Sequence, residues 1–166
     1  MRALLITAAL SLLSSHQRAI SCDTTFPAQS SGTVEIEYQT PAAGQSLDAF
    51  IVRIAPKYAR WSLVNSREVC GAIGQAGDRY SIAINRAGGN GHCTIITTCL
   101  APGFEYTGYT FHTHPTVDDF RFSDQDLLNA GYLVTSSGVK FHDGRGQQRV
   151  VIRFSGRVRS QIINSR

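Results

Sequence analysis

This chain has no apolar run long enough to anchor it stably in a bilayer: Ala3 to Leu13 is the longest stretch of that kind, and a spanning helix needs about 20 residues. It also lacks Cys-x-x-Cys, so the close-knuckle structural zinc sites are excluded. Zinc nucleobase deamination expects His-x-Glu and Pro-Cys-x-x-Cys, and neither string occurs. Gly88, Gly89 and Gly91 are followed by no lysine and no helix start, which favours a hairpin loop over a phosphate loop. Nothing in the composition is collagen-like or disordered. With 42% apolar content, 166 residues can bury the core of one ordinary domain without staples.

Met1-Arg2 followed by the apolar run Ala3 to Leu13 fits a secretory signal peptide over residues 1–21, cleaved after Ala19-Ile20-Ser21. Cys22 would then be the mature N-terminus and an acceptor for lipid. Ala19 is a poor stand-in for the usual lipobox leucine, and His16-Gln17-Arg18 is polar, so a secreted or periplasmic protein is expected rather than a lipoprotein. Residues 22–44, rich in Thr, Ser, Pro, Ala and Gly, read as a linker or edge segment, with Thr33 to Tyr38 alternating as a short strand.

Ser46 is placed to cap an amphipathic helix on which Leu47, Phe50, Ile51, Ile54, Tyr58 and Trp61 recur at helical spacing, with Pro56 predicting a kink or break. Strands are expected at Val69–Gly74, Arg79–Asn85, Cys93–Thr98, Tyr109–His114, Tyr132–Thr135, Gly138–His142 and Gln148–Ser155. The fold class is therefore α/β, a mainly antiparallel central sheet covered by the N-terminal amphipathic helix. A short helix is expected after Ser123, running through Leu127, Leu128 and Ala130 to Gly131.

Chemistry concentrates in Thr110 to Asp126. Side chains two apart on a strand share a face, so His112 and His114 project together with Thr110, while Phe111 and Thr113 take the other face. Pro115 has no N–H for the ladder and ends the strand. Ser123 and Asp126 lie about one turn apart in the helix that follows. Two imidazoles and one carboxylate can surround Zn²⁺ and leave a fourth position open, the ligand count of a catalytic zinc. Such a site also needs a proton shuttle that is not a ligand, and Glu68, at the start of a strand, is available for it.

Glu68 before a small apolar strand, then His112-x-His114-Pro115, then Ser123-x-x-Asp126, resembles the signature of the JAMM/MPN zinc metalloproteases. The segment Gly131 to Gly138 is similar to a little-characterised bacterial branch that also occurs in Rhs-type toxin proteins. The resemblance covers about Leu47 to Phe154. It implies an MPN/cytidine-deaminase-like arrangement, a catalytic domain over residues 45–156, His112, His114 and Asp126 as zinc ligands, Glu68 as general acid/base, and Ser123 as a donor to the oxyanion. The implied function is an exported zinc-dependent metallopeptidase or isopeptidase acting on a peptide or protein substrate. Its rival is a noncatalytic binding or assembly domain that kept the fold without turnover. Eight residues separate His114 from Ser123, one more than in the best-known eukaryotic members, a difference that a loop can absorb.

Four cysteines in an exported chain point to oxidation. An extended Cys93–Thr98 would hold Cys93 and Cys99 roughly 20 Å apart, too far for a mutual bridge. Cys70 then pairs with one of them or with neither, and Cys22 is open to the remaining partner. Zinc held by His92, Cys93 and Cys99 is a weaker reading. His142, beside the Asp143-Gly144 turn, reads as a surface residue. Asp118 and Asp119 either favour a basic substrate side chain or are solvated loop residues. Residues 138–166 carry a net charge of +6 against +4 for the chain, and residues 157–166 read as a basic tail. Arg149, Arg153, Arg157 and Arg159 are spread out without interleaved exposed aromatics, so a solvated face or an acidic protein partner is expected and nucleic acid is not.

Overall fold

A computed structural model describes residues 20–24, 32–86, 93–117 and 119–164, with side chains from Ile36 onward. The elements are β1 (Ile20–Thr24), β2 (Gly32–Gln39), α1 (Leu47–Asn65), β3 (Cys70–Ala76), β4 (Arg79–Asn85), β5 (Glu105–Thr113), β6 (Gly131–Thr135), β7 (Gly138–His142), β8 (Gln148–Arg153) and α2 (Gly156–Ile163). Strands β2 to β8 form one sheet, and β1 extends it along the first half of β2, in the order β1-β2-β4-β3-β5-β6-β7-β8. Every neighbouring pair is antiparallel except β5 and β6, which run parallel. The class is thus α/β with a mainly antiparallel sheet, as the sequence pattern leads one to expect.

α1 starts where Ser46 Oγ accepts the Ala49 N–H at 3.3 Å, and it ends at Ser66, which takes a left-handed conformation with φ 51°. The helix continues through Pro56 rather than breaking. The missing proline hydrogen bond is offset by burial on both sides: Phe50, Ile51 and Ile54 before it, Tyr58, Ala59 and Leu63 after it. These residues cover one face of the sheet, meeting Ile73, Ile82, Ile84, Phe111, Tyr132, Val134 and Val139 in a single core. Tyr58 and Phe111 meet edge to face at 5.7 Å between ring centroids. On the opposite face a smaller cluster of Ile36, Ala83, Ile96 and Cys99 is roofed by the loop after β4.

Four local expectations differ from the structure. Cys93–Thr98 is irregular, not a strand; β3 already has β4 and β5 on its two sides, which leaves its β-branched residues no free edge to join. β2 lies between β1 and β4, its first half pairing with β1 and Glu37 to Gln39 with β4, and Ile36 is fully buried, so this stretch belongs to the sheet rather than to a linker. The stretch read as a basic tail contains α2, capped by Ser155 and docked on the core through Ile162; Val158 and Ile162, four apart, carried a helical stripe that the arginines obscured. After Ser123 there is only a 3-10 turn, Asp126–Leu128, in place of the short α-helix. Residues 1–19 lie outside the described residues, so the signal-peptide reading does too, and its expected cleavage point falls inside β1. Among the described residues no helix is long and apolar enough to cross a membrane.

A polar cluster ties α1 to the far side of the sheet. Glu37 of β2 accepts from Lys57, Arg86 and Gln39, and from Tyr58 Oη at 3.1 Å. Burial alone would raise the Glu37 carboxyl, but the hydrogen bonds and charges of Lys57 and Arg86 outweigh it and hold the group down at about 2. Because the folded value lies below the unfolded one, this stabilisation is present above the ordinary carboxylate range and is lost as pH falls towards 2. Glu37→Gln is expected to cost about 1 to 2 kcal/mol at neutral pH, allowing for solvent screening. In thermal melts the gap between wild type and variant should close as the pH is lowered from about 5 to 2.

Candidate metal centre

The site forms where β3 begins and β5 ends, on the face opposite α1. Val69 points into the core, so its neighbours Glu68 and Cys70 turn to the other face. Phe111 is likewise in the core, and Thr110, His112 and His114 turn to that same opposite face. Cys70 is the register partner of His112. Thr113 fastens the two strand ends together: its N–H donates to Val69 O at 3.0 Å, and its Oγ1 accepts the Val69 N–H at 2.9 Å. Glu68 is therefore placed beside the histidines by its neighbour's hydrogen bonds, a link between residues 44 apart in sequence.

The β5–β6 crossover brings the third group. His114 N donates to Val134 O at 3.3 Å, Pro115 ends the ladder, and the chain loops out before returning to β6. Phe120, only 7% exposed, pins this loop, with Arg153 stacked 4.2 Å from its ring centroid. Phe122 packs between His112 and His142, at 6.2 and 5.7 Å between centroids. The loop then makes one turn in which Ser123 N and Oγ donate to Asp126 Oδ2 at 2.7 and 2.8 Å. This aims the carboxylate at the histidines. Asp126 Oδ1 lies 3.2 Å from His112 Nε2, and Oδ2 lies 3.3 Å from His114 Nε2.

Two imidazole nitrogens and a carboxylate oxygen, all within 4.8 Å of one another, are donors of the kind that a zinc ion takes. His112 Nε2 is also buried without an aligned hydrogen bond among the described residues. Its 3.2 Å approach to Asp126 is off the line of an N–H···O bond. A buried nitrogen left in this state costs about 1 to 3 kcal/mol unless something else satisfies it. Burial would lower the His114 pKa, but Asp126, Asp119 and Glu68 together raise it. Burial would raise Asp126, yet His112, His114 and the Ser123 amide hold it far below the ordinary carboxylate range.

Glu68, His112, His114, Ser123 and Asp126 all line one open cleft of about 870 Å³. The residues singled out in the sequence are thus brought together. Glu68 accepts the Cys93 N–H at 3.3 Å, and Cys93 is bonded to Cys70, with Cα atoms 5.8 Å apart. Glu68, Cys70 and Cys93 also lie close enough together to suggest a second metal cluster. The disulfide consumes both thiols, however, and metals bind the thiolate. Cys99 is disulfide-bonded as well, so neither it nor Cys93 can serve zinc; His92 and the Cys22 side chain lie outside the described residues.

His142 is a correction: it is 1% exposed rather than a surface residue. Its Nδ1 accepts the Gly144 N–H at 3.2 Å, which places the ring proton on Nε2. Asp118 is outside the described residues, and Asp119 lies 3.2 Å from His114 Nδ1 instead of standing free in solvent. Sequence reasoning missed Thr113, Phe120 and Phe122. Only the aromatic-polar alternation of Phe120-Arg121-Phe122 hinted that this loop was packed.

Compared with known proteins, the chain matches no family model, no curated protein and no solved structure.

The bridge between Cys70 and Cys93 closes a loop that would otherwise be free to leave Glu68. A Cys70→Ser/Cys93→Ser double variant is expected to lose about 3 kcal/mol of stability by chain-entropy reasoning. Hydrogen exchange should quicken at the Cys93–Thr98 amides and leave β5 and β6 protected. Unaltered exchange in that loop would show that the bridge does not hold it.

Proposed function

We propose that this chain is a zinc-dependent hydrolase of amide bonds, an exported metallopeptidase or isopeptidase of the JAMM/MPN kind, with the MPN-like arrangement that this implies. The observation that carries the reading is the convergence of Glu68 with His112, His114 and Asp126 on a single cleft, from three separate segments of the chain. His112, His114 and Asp126 would hold the ion. Bound there, zinc would supply a Lewis acid that acidifies water and polarises a carbonyl.

The remaining steps belong to side chains. Glu68, poised on the Cys93 amide and outside the ligand triad, takes a proton from the attacking water and returns it to the departing amine. Ser123 Oγ turns towards the developing oxyanion. It can leave Asp126 Oδ2 because the Ser123 N–H remains on that oxygen at 2.7 Å. Phe122 and the buried Thr113 keep the histidine rings and the strand end in place. The scissile group itself is neutral, which suits a cleft lined by Glu68, Asp119 and Asp126.

Metal content measured by mass spectrometry tests the centre. The purified chain is expected to carry about one zinc, and His112→Ala/His114→Ala to carry none. Glu68→Gln should keep the zinc and lower hydrolysis of a peptide and isopeptide library by about 100- to 10,000-fold. A wild type that stays metal-free after zinc is supplied would end the reading. A chain that holds zinc and cleaves nothing in that library would move the assignment to the noncatalytic binding domain.

A further inference from the structure

Resting on the metal-centre reading, we propose that Asp119 is the positioning residue of His114: it accepts the Nδ1 proton, fixes the ring, and thereby sets the affinity of the site for its ion. His114 presents Nε2 to Asp126 at 3.3 Å, within the ligand triad. A neutral imidazole that offers one nitrogen to a metal carries its proton on the other, and that proton needs an acceptor. On His114 this second nitrogen is Nδ1, which is buried and makes no aligned hydrogen bond among the described residues. Asp119 Oδ2 stands 3.2 Å away. The Asp119 side chain is 41% exposed, so a small side-chain rotation brings its oxygen into line without disturbing the core.

The position of Asp119 is not left to a loose loop. Phe120, the next residue, is buried beneath Arg153 and within 5.2 Å of Lys140 Nζ. The sheet therefore holds the backbone from which the Asp119 carboxylate reaches the ring. Among the described residues the Nδ1 of His112 has no such carboxylate partner. Its support is Phe122, whose ring packs beside it. The two histidines are oriented by different means, one electrostatic and one steric, and only the first raises the basicity of the ligand.

Zinc affinity, read by competition with a chromophoric chelator, tests the assignment without any substrate. Asp119→Ala is expected to bind zinc about 10- to 100-fold more weakly than wild type, still reaching one ion per chain at saturation. Asp119→Asn, which keeps a carbonyl acceptor and loses the charge, should fall between them. Asp124→Asn removes the same charge from the same loop at an exposed position, and should leave affinity within about twofold. In the zinc-loaded wild type, nitrogen-resolved NMR should show a slowly exchanging His114 Nδ1–H that is lost in Asp119→Ala. Tight zinc binding in wild type with equal affinity in both Asp119 variants overturns the assignment and spares the metal centre. So does an equal loss in Asp124→Asn, which would make the effect one of net charge. A wild type that binds no zinc overturns both.

Discussion

The parallel pairing of β5 with β6 is the constraint on which the site depends. Antiparallel neighbours can be joined by a tight hairpin, as β3 and β4 are at Gly77-Asp78. Parallel neighbours need a connection that leaves one end of the sheet and returns to the other. Here that connection starts at His114 and ends at Gly131, so the histidines at the end of β5 and the carboxylate in the crossover arise from one topological necessity. Gly131 makes the close pairing attainable. A Cβ there would fall 2.7 Å from Thr110 O, an approach that no side chain tolerates. The residue that admits β6 to the sheet lies two positions along the register from the partner of His112.

On the other side of β5 the constraint is local. Thr113 binds Val69 through both its amide and its hydroxyl, which fixes where β3 starts. The period of two then does the rest, putting Val69 under α1 and Glu68 and Cys70 in the cleft. Cys93 is drawn in by the bond to Cys70, and its amide reaches Glu68 at 3.3 Å. The Glu68 carboxylate, on an irregular segment, is thereby held by strand pairing from one direction and by a covalent bridge from the other. The register shift between Ala72 and Gly74 sets how much of β5 obeys this alternation. Beyond it β5 has taken up two extra residues, and the pairing resumes at Gly74 and Tyr106.

That shift also explains what the sequence could disclose. Alternation across Tyr109 to His114 survives into the structure because the irregularity lies before it, so the face shared by His112 and His114 was legible. The start of β5 at Glu105 was not, since Gly108, at φ 83°, interrupts the pattern. α1 was legible from its stripe and its Ser46 cap. Cys93–Thr98 misled because β-branched composition reports on fit to a pleated surface, whereas a strand also requires a vacant edge, which is a property of the whole sheet. The neighbourhood of Asp119 and His114 was hidden for a similar reason. Four residues of loop separate them in sequence, and the burial of Phe120 against a distant patch of β7 and β8 folds that loop back.

Charge gives the independent argument for a cation. Glu68, Asp119 and Asp126 line the cleft, and no lysine or arginine is among the described residues that line it with them. Cations near the loop, Lys140 and Arg153, are committed to the ring of Phe120. Carboxylates gathered in a partly desolvated space repel one another and lose hydration, and folding maintains such a cluster only against a compensating charge. A proton on His114 meets part of that need, which is why its pKa is raised. A divalent ion held among His112, His114 and Asp126 would meet more of it. An ion held there would also relieve the like-charge repulsion between Glu68 and the other carboxylates of the cleft.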